Sequence, residues 1–182
     1  EQIDLIKNLK ETKEYIEKNK IISNDIQYIF GIEGLDYLEK IEDIDILYSL
    51  GLRSTNPVWN NENKFGGGAK VDNKIGLTKL GEQLIEKLID KRIAIDLSHS
   101  NETTFFDIIK ICKKMKKQGK DPIVFVSHSN AKAICNVPRN LTDEQILEIK
   151  EFGGVIGVVS IKTFCVDTGD VSNLNMDFEQ SE

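Results

Sequence analysis

Short apolar runs of strand length alternate along this chain with longer amphipathic stretches, and that alternation limits the possible folds more than any other feature. Residues 26–32, 52–58, 93–97, 122–126 and 155–160 read as strands, the second of them weakened by Pro57. Residues 3–19, 36–50, 78–91, 101–118 and 142–153 carry apolar positions at helical spacing among charges and read as helices. Thr78 is placed to cap one helix, Thr142 and Gln145 form a capping box for another, and Gly51 and Gly119 close two more. Strands separated by helices pair in parallel, because a parallel pair needs a long crossover. Their near-continuous apolar character fits burial on both faces. The expectation is one α/β domain over residues 1–182. Two architectures satisfy it, an open doubly wound sheet and a (β/α)8 barrel. No G-x-G-x-x-G follows a strand, so a dinucleotide-binding sheet has no support. Residues 60–74 read as a polar loop with Gly66, Gly67 and Gly68 at a flexible tip. It is not a phosphate loop, since no Gly-Lys-Ser/Thr follows.

Charge removes one class of partner. The net charge is -6, and Lys and Arg alternate with Asp and Glu rather than clustering, so nucleic acid is not an expected partner. The basic run from Lys110 to Lys120 is interleaved with Ile111, Cys112 and Met115 and reads as a solvated helix face. The longest apolar runs are far below the ~20 residues of a spanning helix, so no membrane span is expected. The chain begins at Glu1 and shows no signal peptide, and a cytoplasmic protein is the expectation. Cys112, Cys135 and Cys165 are odd in number and unrelated in spacing, which favours buried thiols over disulfides or a cysteine metal site.

Only two histidines occur, and they sit alike. His99 ends Ile-Ala-Ile-Asp-Leu-Ser-His-Ser and His128 ends Ile-Val-Phe-Val-Ser-His-Ser. Each follows the C-terminal end of an apolar strand, the edge where parallel α/β proteins build their sites. Neutral imidazole is a good zinc ligand, so the pair reads either as metal ligands or as hydrogen-bonded histidines at the rim. Glu33, in Phe-Gly-Ile-Glu-Gly, also follows a strand and is a candidate third ligand or an ordinary turn glutamate. Asp96, inside a strand, must be paired or hydrogen-bonded. It reads equally as a partner of a metal-bound histidine or as a carboxylate tied to neighbouring strands. Arg139 could recognise a carboxylate or lie on the surface. No Ser-His-Asp or Cys-His nucleophile is expected, because no separate acid is evidently placed to orient either histidine.

Several segments together resemble the membrane (renal) dipeptidase family of zinc peptidases. They are Gly31-Ile-Glu-Gly, Gly51-Leu-Arg-Ser, Trp59-Asn followed by Phe65-Gly-Gly-Gly, and Gly76-Leu-Thr with Gly81. Asp96-Leu-Ser-His-Ser, Val126-Ser-His-Ser-Asn-Ala, Cys135-Asn-Val-Pro-Arg-Asn and Gly153-Gly-Val-Ile-Gly-Val follow in the family's order, over residues 20–165. The resemblance implies a (β/α)8-barrel metal hydrolase with two Zn2+ ions, of which about five central β/α units are present here. It implies cleavage of dipeptides by a metal-activated hydroxide. It makes Glu33 the bridging carboxylate and His99 and His128 ligands of the second zinc. Arg139 would grip the dipeptide's C-terminal carboxylate, with Trp59 and Asn60 as further substrate contacts. Family members are often dimers, so a homodimer is one expectation.

Three departures from the pattern accompany it. The family's His-x-Asp motif is absent, as expected if the chain begins after it. The late-strand Asp that handles the proton is absent too, so no catalytic residue is assigned here and the 182-residue chain alone is expected to be inactive. Trp59 stands near where some members carry a His, which puts the substrate class in doubt. Alternatives are a binuclear metal hydrolase acting on a non-peptide amide or ester, and a non-catalytic fragment.

Overall fold

The structure is a computed structural model that describes residues 29–166. The helix expected over residues 3–19 and the start of the first strand lie outside them. Four short strands are described: β1 (Gly31–Glu33), β2 (Ser54–Asn56), β3 (Ala94–Asp96) and β4 (Val124–Phe125). They form one parallel sheet in the order β1-β2-β3-β4. Glu33 is in register with Asn56, and Asp96 with Phe125, so the strand ends are level. Five helices accompany them: α1 (Asp43–Ser49), α2 (Lys79–Asp90), α3 (Glu102–Lys117), α4 (Asp143–Glu151) and α5 (Lys162–Cys165). Sequential parallel strands joined by helices are consistent with part of a β/α barrel.

The helical spacing of the sequence becomes the core directly. Leu84, Ile85, Leu88 and Ile89 of α2 and Phe105, Ile108, Ile109 and Cys112 of α3 are buried together with Ile95 and Val124 of the sheet. Each such aliphatic or aromatic side chain contributes about 1.5–3 kcal/mol on burial. The caps read from the sequence form: the Thr78 side chain accepts from the Gly81 N–H, and Thr142 and Gln145 make a reciprocal capping box. Asn101 caps α3 by accepting from the Thr104 N–H. That cap lies two residues after His99, so the start of α3 anchors the turn carrying the imidazole.

Several expectations are corrected. Residues 36–42 form turns rather than a helix. Asp36 is drawn to Asn63 of the following loop, while Leu35 and Leu38 drop into the core. Residues 155–160 do not make a strand. They meet the residue just after β4 at one parallel bridge, Val126 with Ile156, and leave Val155 and Val158 exposed. The triple glycine is not a flexible tip. Gly66, Gly67 and Gly68 are buried, and a Cβ on Gly68 would lie 2.0 Å from the Trp59 carbonyl oxygen. Glycine is required there because two backbone segments touch. Cys112 and Cys135 are buried as expected, but Cys165 is exposed at the end of α5. The basic face of α3 is solvated and salt-bridged, with Lys113 held by Glu148 and Glu151 and Lys114 by Glu86. No helix among the described residues is long and apolar enough to cross a membrane.

Candidate metal centre

Glu33, His99 and His128 come from three strand ends on one edge of the sheet. Glu33 closes β1, His99 follows β3 by three residues and His128 follows β4 by three. Gly34, at φ +76°, turns the chain away immediately after Glu33, a conformation that L side chains rarely adopt. Its N–H donates to Asn56 Oδ1, and the Asn56 amide donates to the carbonyls of Val58 and Ser98. Asn56, in register with Glu33 and buried, thus stitches three strand ends into one rim. His99 itself has φ +68°. A non-glycine residue in that region is held there by its surroundings, a feature common at functional sites.

Glu33 Oε1 lies 2.8 Å from His99 Nε2 and 3.3 Å from His128 Nε2. The two Nε2 atoms are 2.9 Å apart. One ligand atom from each residue falls within 4.8 Å of the other two, the spacing of a set that could hold a metal ion. Each imidazole is occupied at its other nitrogen. His99 Nδ1 meets Asn60 Oδ1 at 2.9 Å, and His128 Nδ1 meets Ser127 Oγ at 2.6 Å. With Nδ1 serving as donor, Nε2 keeps its lone pair. Three acceptor atoms then face one point, an arrangement that a cation relieves. Two imidazoles and a carboxylate form a donor set suited to Zn2+ with one position left open.

The electrostatics agree with this reading. With no cation present, a proton on His99 Nε2 would donate to Glu33, and that hydrogen bond holds the Glu33 carboxyl below the usual carboxylate range; a cation would take the place of that proton. Burial pushes both imidazoles below their ordinary value, and the Arg139 charge pushes in the same direction. At neutral pH the histidines are therefore neutral and the glutamate ionised, the protonation states that ligation needs.

Arg139 is half-buried, not a surface residue. Its guanidinium lies 5.2 Å from the centre of the Phe164 ring, and its Nη2 is 3.5 Å from the His128 carbonyl oxygen. Burial lowers its pKa to about 10, so it stays charged at neutral pH, and its buried Nε has no hydrogen-bond partner. Phe164 packs with Cys135 and Val137 in a small second cluster that supports this loop. Arg139 lines a cavity of about 520 Å3 that also reaches His99, Ser129, Asn136 and Lys132. Trp59 stands beside His99, with ring centres 5.6 Å apart. Asn60 is placed beneath His99 rather than on the open face. It is 2% exposed, with Oδ1 on the imidazole, so it supports His99.

The rim also holds Ser127, which the sequence does not single out, between His128 and Asp96, which reads from the sequence as a histidine partner or a carboxylate tied to neighbouring strands. Asp96 Oδ1 accepts from the Ser98 and Ser127 N–H groups at 2.9 and 3.0 Å, and Oδ2 accepts from Ser127 Oγ. An acid does reach a histidine, through a serine, which corrects the expectation that none was placed to do so. The signal available was the serine preceding each histidine. What it lacked was the register that sets Asp96 beside the end of β4.

A parallel β/α sheet that gathers a carboxylate and two imidazoles on the carboxyl edge of its strands defines the class: a partial β/α barrel with a candidate metal centre at its rim. The chain belongs to the membrane dipeptidase family (peptidase family M19), whose family model matches residues 1–176. It is similar to an uncharacterized protein in the pqqA 5′ region of Klebsiella pneumoniae, 37% identical over 139 residues, covering 73% of this chain and 48% of that protein. The fold resembles a metallopeptidase from Rhodobacter sphaeroides solved with a phosphinate mimic of the dipeptide L-Ala-D-Ala. Identity is 32% and the TM-score 0.65, over 75% of this chain and 38% of that one. A second solved metallopeptidase, dipeptidase AC, matches with the same identity and TM-score over 75% of this chain and 39% of its own. The chain therefore spans less than half the length of these relatives.

Proposed function

We propose that the protein is a zinc-dependent dipeptidase, in which Glu33, His99 and His128 hold metal and Arg139 receives the free carboxylate of the dipeptide. The convergence of Glu33 Oε1 with the two Nε2 atoms, beside a cavity containing a charged and incompletely partnered arginine, carries this reading. A zinc ion held there supplies Lewis acidity to the scissile carbonyl. The chain's own residues do the positioning. Asn60 and Ser127 fix the imidazoles, Asn56 sets the level of the strand end that carries Glu33, and the Phe164 ring supports the guanidinium. A planar guanidinium can take both oxygens of a carboxylate and so fixes how far a dipeptide extends from the cavity to the metal centre. Trp59 walls the site beside His99 and favours an apolar side chain there. The Rhodobacter metallopeptidase bound to a dipeptide mimic supports a dipeptide as substrate.

The test is metal content and dipeptide hydrolysis of the full-length protein, beside a His99→Ala/His128→Ala variant. Zinc uptake and dipeptidase activity, both lost in the variant while folding is retained, are expected. A folded wild-type protein that takes up no divalent metal would sink the metal centre. Uptake with hydrolysis of non-peptide amides or esters alone would sink the dipeptide assignment.

A further inference from the structure

We propose that Ser127 is a positioning residue of this centre: its hydroxyl, aimed by Asp96, commits the His128 imidazole to the tautomer that leaves Nε2 free for a cation. The inference rests on reading Glu33, His99 and His128 as ligands.

Counting protons around the Ser127 oxygen leaves one solution. Three polar atoms surround it: Asp96 Oδ2, His128 Nδ1 at 2.6 Å and Ser98 Oγ at 3.1 Å. An ionised carboxylate only accepts, so the single hydroxyl proton of Ser127 goes to Asp96. The oxygen then has lone pairs for two donors. Ser98 Oγ supplies one. Ser127 has no second proton to offer it, so Ser98 is the donor of that pair, while its oxygen accepts from the His128 N–H at 3.2 Å. The other donor must be His128 Nδ1–H. Asp96 cannot turn away, since its Oδ1 is fixed by the N–H groups of Ser98 and Ser127. Every proton in the network has one place, and none remains for Nε2 of a neutral His128.

The companion histidine is held differently. His99 Nδ1 meets an amide oxygen, with no carboxylate behind it. An acceptor backed by a full negative charge raises the basicity of the ring it holds, so His128 is the stronger donor of the two. Glu33 works in the opposite sense. Its Oε1, 3.3 Å from His128 Nε2, would welcome a proton there in the absence of a cation. The Ser127–Asp96 pair is what opposes that tautomer.

Asp96→Asn gives a discriminating test because it changes one atom and reverses the network. The asparagine oxygen keeps the two N–H groups, so its amide nitrogen faces Ser127 and donates. With Ser98 still donating to Ser127, the Ser127 proton turns to His128 Nδ1, which moves the imidazole proton to Nε2. Histidine-ring 15N spectra of the full-length, metal-free protein at neutral pH, assigned with His128→Gln, should show Nδ1–H in the wild type and Nε2–H in Asp96→Asn. Zinc affinity should fall about 10- to 100-fold in Asp96→Asn and in Ser127→Ala. Ser127 is exposed, so its truncation leaves the core intact. The double variant should bind within about twofold of Ser127→Ala, because Asp96 acts through the hydroxyl. Wild-type zinc affinity in Ser127→Ala, or an unchanged His128 tautomer in Asp96→Asn, would overturn the proposal. If the wild type takes up no zinc, the ligand assignment fails on its own account, and the tautomer reversal still decides whether Ser127 and Asp96 set the ring.

Discussion

His99 Nε2 and His128 Nε2 lie 2.9 Å apart, brought there by turns that follow adjacent parallel strands. Two neutral imidazole nitrogens stripped of protons repel at that distance, and Glu33 Oε1 adds a third lone pair. Stripped of those protons the centre is a local destabilisation, which a bound cation would convert into a tie between β1, β3 and β4.

Metal should stabilise the fold accordingly. Zinc at about 100 times its dissociation constant adds about 2.7 kcal/mol to the native state by mass action. Thermal unfolding of the full-length protein with zinc and with a chelator checks this. Glu33→Gln, which removes the charge at similar shape, should reduce the zinc-dependent rise in Tm, whereas an equal rise in wild type and variant would exclude Glu33 as a ligand.

Arg139→Lys should not behave as a conservative change. A lysine loses the planar fork and the stacking on Phe164. Charge-assisted hydrogen bonds contribute about 1.5–3 kcal/mol. KM for dipeptides should therefore rise roughly 10- to 100-fold, while amidated dipeptides, lacking the carboxylate, should be cleaved equally by both. Steady-state kinetics on the two substrate types reads this directly.

Gly68→Ala tests the packed glycine run. The new Cβ would meet the Trp59 carbonyl at 2.0 Å and the Asn60 backbone at 2.5 Å, and backbone cannot step aside as a side-chain tip can. A loss of about 1–3 kcal/mol is expected by urea unfolding. Asn60 supports His99, so zinc affinity should fall in the same variant. Wild-type stability would show that the loop is free to move.

The three thiols should separate by chemistry. Cys165 should react with iodoacetamide in the folded protein, and Cys112 and Cys135 only after unfolding. Burial pushes the Cys112 thiol from 9.0 up to about 12. The unfolded chain therefore gives up this proton first as pH rises. The contribution is fully present below about pH 9 and falls by roughly 1.4 kcal/mol per pH unit as pH approaches 12. Cys112→Ala should lower stability at neutral pH and flatten this alkaline decline, measured by urea unfolding at pH 8 and 10.

Much of the scaffold is legible in the sequence because its cause is local. Leu84, Leu88, Ile108 and Cys112 fall at helical spacing, and Thr78, Asn101 and Thr142 carry the oxygens that caps require. Where local cues misled, a distant partner decided. Residues 155–160 are as apolar as a strand, yet among the described residues they make one bridge, at Val126 just after β4. Gly66 to Gly68 looks flexible until Trp59, Asn60 and Ile75 close around it.

The sequence by itself determined the parallel β/α order and the placement of Glu33, His99 and His128 at or just beyond strand ends. Apolar periodicity, cap chemistry and residue identity are all written within a few positions. Only the tertiary structure decided which atoms face one another: Nε2 against Nε2, Asn60 beneath His99, and Asp96 behind Ser127. Those pairings join residues about 30 to 40 positions apart, and strand register sets them. A shift of one residue turns every side chain to the other face, and no short stretch of chain encodes that choice.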